Sequence, residues 1–82
     1  MNSKRVVNMY SNETEELVEE IVITSIPLLT IKKIIASNDD DPLMYDSYLI
    51  NESHLKMLNS YLDKKIEGDF KRYAYYIECC QE

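Results

Sequence analysis

Four carboxylates, a proline and two tyrosines fall within the stretch Asp39-Asp40-Asp41-Pro42-Leu43-Met44-Tyr45-Asp46-Ser47-Tyr48-Leu49-Ile50. Acids this close oppose compaction, so they need solvent, a cation or a basic partner. Hard cations such as Ca²⁺ and Mg²⁺ take carboxylate oxygens, yet the stretch has neither the glycine nor the closing glutamate of an EF-hand loop, and no metal is expected. Two readings stay open on these residues alone. One is a solvated acidic loop. The other is a binding surface in which Asp39, Asp40, Asp41 and Asp46 pair with Lys and Arg, while Tyr45 and Tyr48 supply rigid contact area and a hydroxyl.

Other chemistry is sparse. His54 is the only histidine and stands at the start of a predicted helix, with no Cys, or Ser and Asp, at a recognisable catalytic spacing. It reads as a surface or capping residue. The chain has no glycine-rich phosphate loop, no H-E-x-x-H and no spaced Cys/His set, so neither an enzyme nor a cofactor is expected. Cys79 and Cys80 are adjacent, and neighbours on a strand point to opposite faces, so a disulfide between them would be strained. They read as free thiols of a reducing compartment, with a vicinal redox pair as the alternative.

With 82 residues, of which 45% are apolar, residues 1–82 are expected to form one small domain with one core. The net charge of −6 argues against direct binding of nucleic acid, which needs a basic footprint, and favours basic partners. The negative charge is concentrated: from Glu13 to Glu52 there are ten acids and two bases, Lys32 and Lys33. The first residues carry no apolar signal region. The most apolar window, Ile21 to Ile35, is short and interrupted by Pro27, Lys32 and Lys33. A cytoplasmic protein without membrane contact is expected.

The elements that position these residues follow from periodicity. Lys4 to Tyr10 predicts a strand, Ser11-Asn12-Glu13-Thr14 a turn, and Glu15 to Ile23 a second strand. The second strand places Leu17, Glu19, Ile21 and Ile23 on one face. Glu15 to Glu20 also has a helical look, resolved toward a hairpin by the β-branched run that follows. Ser25 is expected to cap a helix with Pro27 in its first turn and Leu28, Ile31, Ile34 and Ile35 inward, leaving Leu29 exposed; Ser37-Asn38 ends it. Tyr45 to Ile50 predicts a short strand. Asn51 caps a second helix, with Ile50 and Leu55 as a hydrophobic staple and Leu55, Leu58 and Leu62 as its buried stripe. After a loop at Glu67-Gly68-Asp69, Phe70 to Cys80 is the last strand, with Tyr73, Tyr75, Ile77 and Cys79 on one face. The order β-β-α-β-α-β implies an α+β fold: a small antiparallel or mixed sheet with two helices on one face. The opposite face, bearing Tyr76 and Glu78, would then be partly exposed.

The Asp-Asp-Pro, Tyr-Asp and second Tyr series at 40–50 resembles a family of small bacterial immunity proteins, including those paired with contact-dependent growth-inhibition toxins. So do Arg5-Val6-Val7, Glu15-Glu16-Leu17-Val18, Ile26-Pro27-Leu28 and Arg72-Tyr73-Ala74-Tyr75-Tyr76-Ile77-Glu78. The resemblance implies a protein that neutralises a cognate toxin domain by stoichiometric binding. Charge favours a nuclease toxin, since carboxylates can occupy the donors that hold phosphate, and an RNase is the first expectation. The expected toxin contacts are Asp39, Asp40, Asp41, Tyr45, Asp46 and Tyr48, extended by Glu15, Glu16 and Glu19. The alternative is a cytosolic interaction or regulatory module unrelated to toxins.

Overall fold

The structure, a computed structural model, describes residues 3–36 and 39–81. Six elements follow in the expected order: β1 (Ser3–Ser11), β2 (Leu17–Val22), α1 (Leu28–Ile34), β3 (Tyr48–Ile50), α2 (Glu52–Asn59) and β4 (Tyr73–Gln81). The strands form one antiparallel sheet in the order β2-β1-β4-β3. The two longest, β1 and β4, pair along their whole length at its centre, from Ser3 opposite Gln81 to Ser11 opposite Tyr73. Among the described residues no helix is long and apolar enough to cross a membrane.

Alternation decides the two faces. Val7, Ile50, Tyr75 and Ile77 turn toward the helices and join Ile31, Ile35, Leu55 and Leu58 in the core. Asn8, Tyr10, Ala74, Tyr76 and Glu78 turn the other way, as the residues opposite one another in the pairing register must. The predicted inward set of α1 holds: Ile31 and Ile35 are buried, Leu28 and Ile34 pack against them, and Leu29 is 73% exposed. The expected cap does not. Pro27 is itself the N-cap, with an extended ψ of 144°, and no side chain caps the helix. The chain therefore enters the helix later than predicted, and Ser25 stays in the preceding turn. The end placed at Ser37-Asn38 lies outside the described residues.

At α2 the cap is reciprocal. Asn51 Oδ1 accepts from the His54 N–H at 2.8 Å, and the Asn51 N–H donates to His54 Nδ1 at 3.2 Å. His54 is thus a capping residue, and Ile50 and Leu55 are both buried beside it. Leu62 is buried as expected, although α2 stops at Asn59, whose side chain then holds the backbone of Ile66 in the following loop. A Cβ on Gly68 would lie 2.8 Å from the Phe70 ring and 2.9 Å from the Leu55 side chain, which explains the glycine there.

Three strand predictions need correction. β2 begins at Leu17 rather than Glu15, because the Glu15 backbone (φ 64°) lies in the left-handed region and closes the turn. The register slips between Met9 and Tyr10, so Leu17 falls opposite Tyr10, away from the face of Glu19 and Ile21. Tyr45 to Ser47 and Phe70 to Arg72 lie outside the strands, the latter in a turn where the Arg72 and Tyr73 N–H groups both donate to the Asp69 carbonyl.

Candidate functional site

The acidic loop is built around one of its own carboxylates. Asp41 is buried, and its Oδ1 accepts from the Tyr45 N–H at 2.8 Å. Its Oδ2 accepts from the Asp46 N–H at 2.9 Å and from the Tyr48 hydroxyl at 2.6 Å. The Tyr48 hydroxyl, and after it the Asp46 N–H, hold the Asp41 carboxyl below the usual carboxylate range. Met44, with φ 52°, turns its side chain fully into the core. Two cations grip the outer carbonyls: Lys32 Nζ donates to Pro42 O at 2.9 Å, and Arg5 Nη2 donates to Leu43 O. The Arg5 guanidinium also lies 5.7 Å from the centroid of the Tyr45 ring.

The expected contact residues therefore divide. Asp39, Asp40 and Asp46 are exposed, and Tyr45 is 55% exposed beside them. Asp41 and Tyr48, also expected to meet a partner, bond to each other and shape the loop. The reason is local: a carboxylate just before a proline-led turn can take up the N–H groups that the turn leaves unmatched.

Glu15 and Glu16 lie elsewhere. They close the β1–β2 turn, where Ser11 and Glu16 share a backbone hydrogen bond of 2.9 Å and Ser11 Oγ accepts from the Glu13 and Thr14 N–H groups. Arg5, beside the acidic loop, and Ser11, at this turn, are six positions apart on β1, about 20 Å at the usual strand rise. Glu19 pairs with Met9 on the helix side of the sheet. The nine expected residues thus do not form one cluster.

Connecting the two ends is a trough of about 370 Å³ on the open sheet face, running from Ser47 past Glu78, Tyr76, Tyr10 and Ala74 to Glu15. Glu78 Oε1 accepts from Asn8 Nδ2 at 2.7 Å and from the Tyr10 hydroxyl at 2.5 Å. Burial pushes its pKa up, but hydrogen bonds from Tyr10, Asn8 and Ser47 outweigh that and leave it lowered. The same bond to Glu78, with burial, raises the Tyr10 pKa. The Tyr10 and Tyr76 rings meet edge to face at 5.6 Å. Sequence alternation put Tyr76 and Glu78 on this face, but nothing in the sequence sets the register that brings Tyr10 and Asn8 to Glu78 across almost the whole chain.

Cys79 and Cys80 are free thiols, and the register turns them to opposite faces. Cys80 Sγ lies 3.9 Å from Glu20 Oε2, and burial, then the Glu20 charge, push its pKa up. Among the described residues no group of three His, Cys, Asp or Glu comes together in a way that could hold a metal ion.

Residues 4–78 match a family described as a domain of unknown function (DUF7683). No curated protein matches the chain, and no solved structure does.

Proposed function

The chain belongs to the DUF7683 family, and we propose that it acts as an immunity protein, binding and neutralising a basic toxin domain in the cytoplasm. The toxin expected on charge is a nuclease, and an RNase is the first candidate. Asp39, Asp40 and Asp46 pair with the Lys and Arg side chains that would otherwise hold phosphate, and Tyr45 is the aromatic anchor among them.

One observation carries the reading: the most acidic loop is held from within while its other acids face outward. Asp41, Met44, Arg5 and Lys32 fix its backbone from Asp41 to Asp46, so little ordering entropy remains to be lost there on binding. A merely solvated acidic loop needs no such anchoring. The resemblance of the 40–50 series to immunity proteins points the same way. From Asp46 a partner can follow the trough over Ser47 and Glu78, whose lowered pKa keeps it anionic, toward Glu15.

The test is co-expression with the toxin domain encoded by the adjoining gene. The reading expects a stable one-to-one complex and restored growth of cells making the toxin. A toxin that stays active with no complex recovered would leave a regulatory or interaction role unrelated to toxins.

A further inference from the structure

The other distinctive surface lies on the far edge of the sheet. β2 ends the strand order and, among the described residues, pairs only with β1. The Ile23 N–H donates to Arg5 O at 2.9 Å. Antiparallel bonding alternates, so Ile21 and Glu19 bond toward β1, and the N–H and C=O groups of Glu20 and Val22 point outward. Every residue of β2 except Ile21 is exposed. No proline interrupts this edge, its charges are the two glutamates Glu19 and Glu20, which repel an acidic strand and not a basic one, and the register slip touches only its first residues.

Directly inside the edge, on the helix side, a groove of about 910 Å³ separates β2 from the loop after α2. Apolar side chains of Met9, Ile21, Leu62 and Ile66 line it, together with Glu19 and Glu67. Besides Glu20, four carboxylates border the groove against three bases, and two of those bases are engaged: Lys65 Nζ donates to the Asn59 and Leu62 carbonyls, and Arg72 lies over the Tyr73 ring. On the open side of the same strand stands Glu20, paired with Lys4 at 3.3 Å.

We infer that β2 accepts an extended segment of a basic partner protein as a fifth strand of the sheet. Main-chain hydrogen bonds to Glu20 and Val22 hold it, apolar side chains on one side enter the groove, and basic ones on the other meet Glu20. A second copy of this chain is the poorer occupant, because it brings a second strand carrying Glu19 and Glu20, on a chain of net charge −6, against an edge that is already acidic. The inference is independent of the acidic loop and of any toxin.

The experiment follows amide exchange of the intact chain by NMR on adding peptides of about ten residues that alternate valine with lysine or valine with glutamate. The lysine peptide is expected to slow exchange of the Glu20 and Val22 amides by about tenfold or more, and the glutamate peptide to leave them unchanged. Glu20→Pro, which removes an outward N–H, should abolish the effect; Glu20→Ala, which keeps the N–H and loses only the charge, should weaken it without abolishing it. If Glu20→Pro does not fold, the contrast between the two peptides on the unaltered chain decides. No binding of the lysine peptide, or binding that leaves these two amides unprotected, overturns the proposal. So does concentration-dependent protection without peptide accompanied by a dimer in sedimentation, which would make a second copy the occupant.

Discussion

The loop at 39–46 and the turn at 12–16 are both acidic and both join regular elements, yet they are built in opposite ways. The loop sends Met44 into the core, uses Asp41 to gather two N–H groups and a hydroxyl, and is gripped by Arg5 and Lys32. In the turn Asn12 to Glu16 are all exposed, and Ser11 and Thr14 hydroxyls with a left-handed Glu15 suffice to reverse the chain. Charge density alone therefore does not distinguish a shaped surface from a plain solvated turn. What distinguishes them is whether one acid is turned inward to hold the backbone that follows it.

Substitutions can break or sharpen that contrast. The largest effect is expected of Met44→Ala, which should lower unfolding free energy by about 2–5 kcal/mol in urea titrations, as for other buried methionines. A loss under ~1 kcal/mol would mean the loop is not anchored in the core. The acid limb of stability comes next. Asp41 has a folded pKa below its unfolded value, so its contribution is present above the unfolded pKa and is lost as pH falls through the folded one. Glu78 acts with the same sign. Tyr48→Phe removes the first cause of the Asp41 shift and should flatten this dependence in urea midpoints measured from neutral pH downward; Tyr45→Phe should not.

The turn should respond differently. Glu15→Gly relieves a side-chain-bearing residue at φ 64° and is expected to stabilise by about 0.5–1 kcal/mol, visible as a higher thermal midpoint. The smallest change belongs to Asp39→Asn with Asp40→Asn. With both side chains exposed, stability should move by less than about 0.5 kcal/mol, whatever happens to binding.

Much of the fold was legible because it rests on local rules. Periodicity gave the element order and the inward faces of α1 and β4, and the spacing of Ile50, Asn51 and Leu55 gave the start of α2. What escaped depends on geometry between distant residues or on backbone conformation. The register slip that turns Leu17 to the open face leaves an uninterrupted alternating pattern in the sequence. Met44 sits in a stretch whose period suggests no core position, and it reaches the core from a left-handed backbone. Asp41 looked the same as Asp39 and Asp40, since nothing in a run of three identical acids marks the one facing the following N–H groups. Glu78 needed the β1–β4 register before its tyrosine and asparagine partners could be named.

The most direct measurement of the central claim is the affinity of the triple variant Asp39→Asn, Asp40→Asn, Asp46→Asn for the toxin domain encoded beside this chain, with Asp41 left intact. If these outward acids meet basic toxin groups in a desolvated interface, binding should weaken by about 2–5 kcal/mol while the fold is unchanged. A loss under ~0.5 kcal/mol, the size of a rim contact, would contradict it.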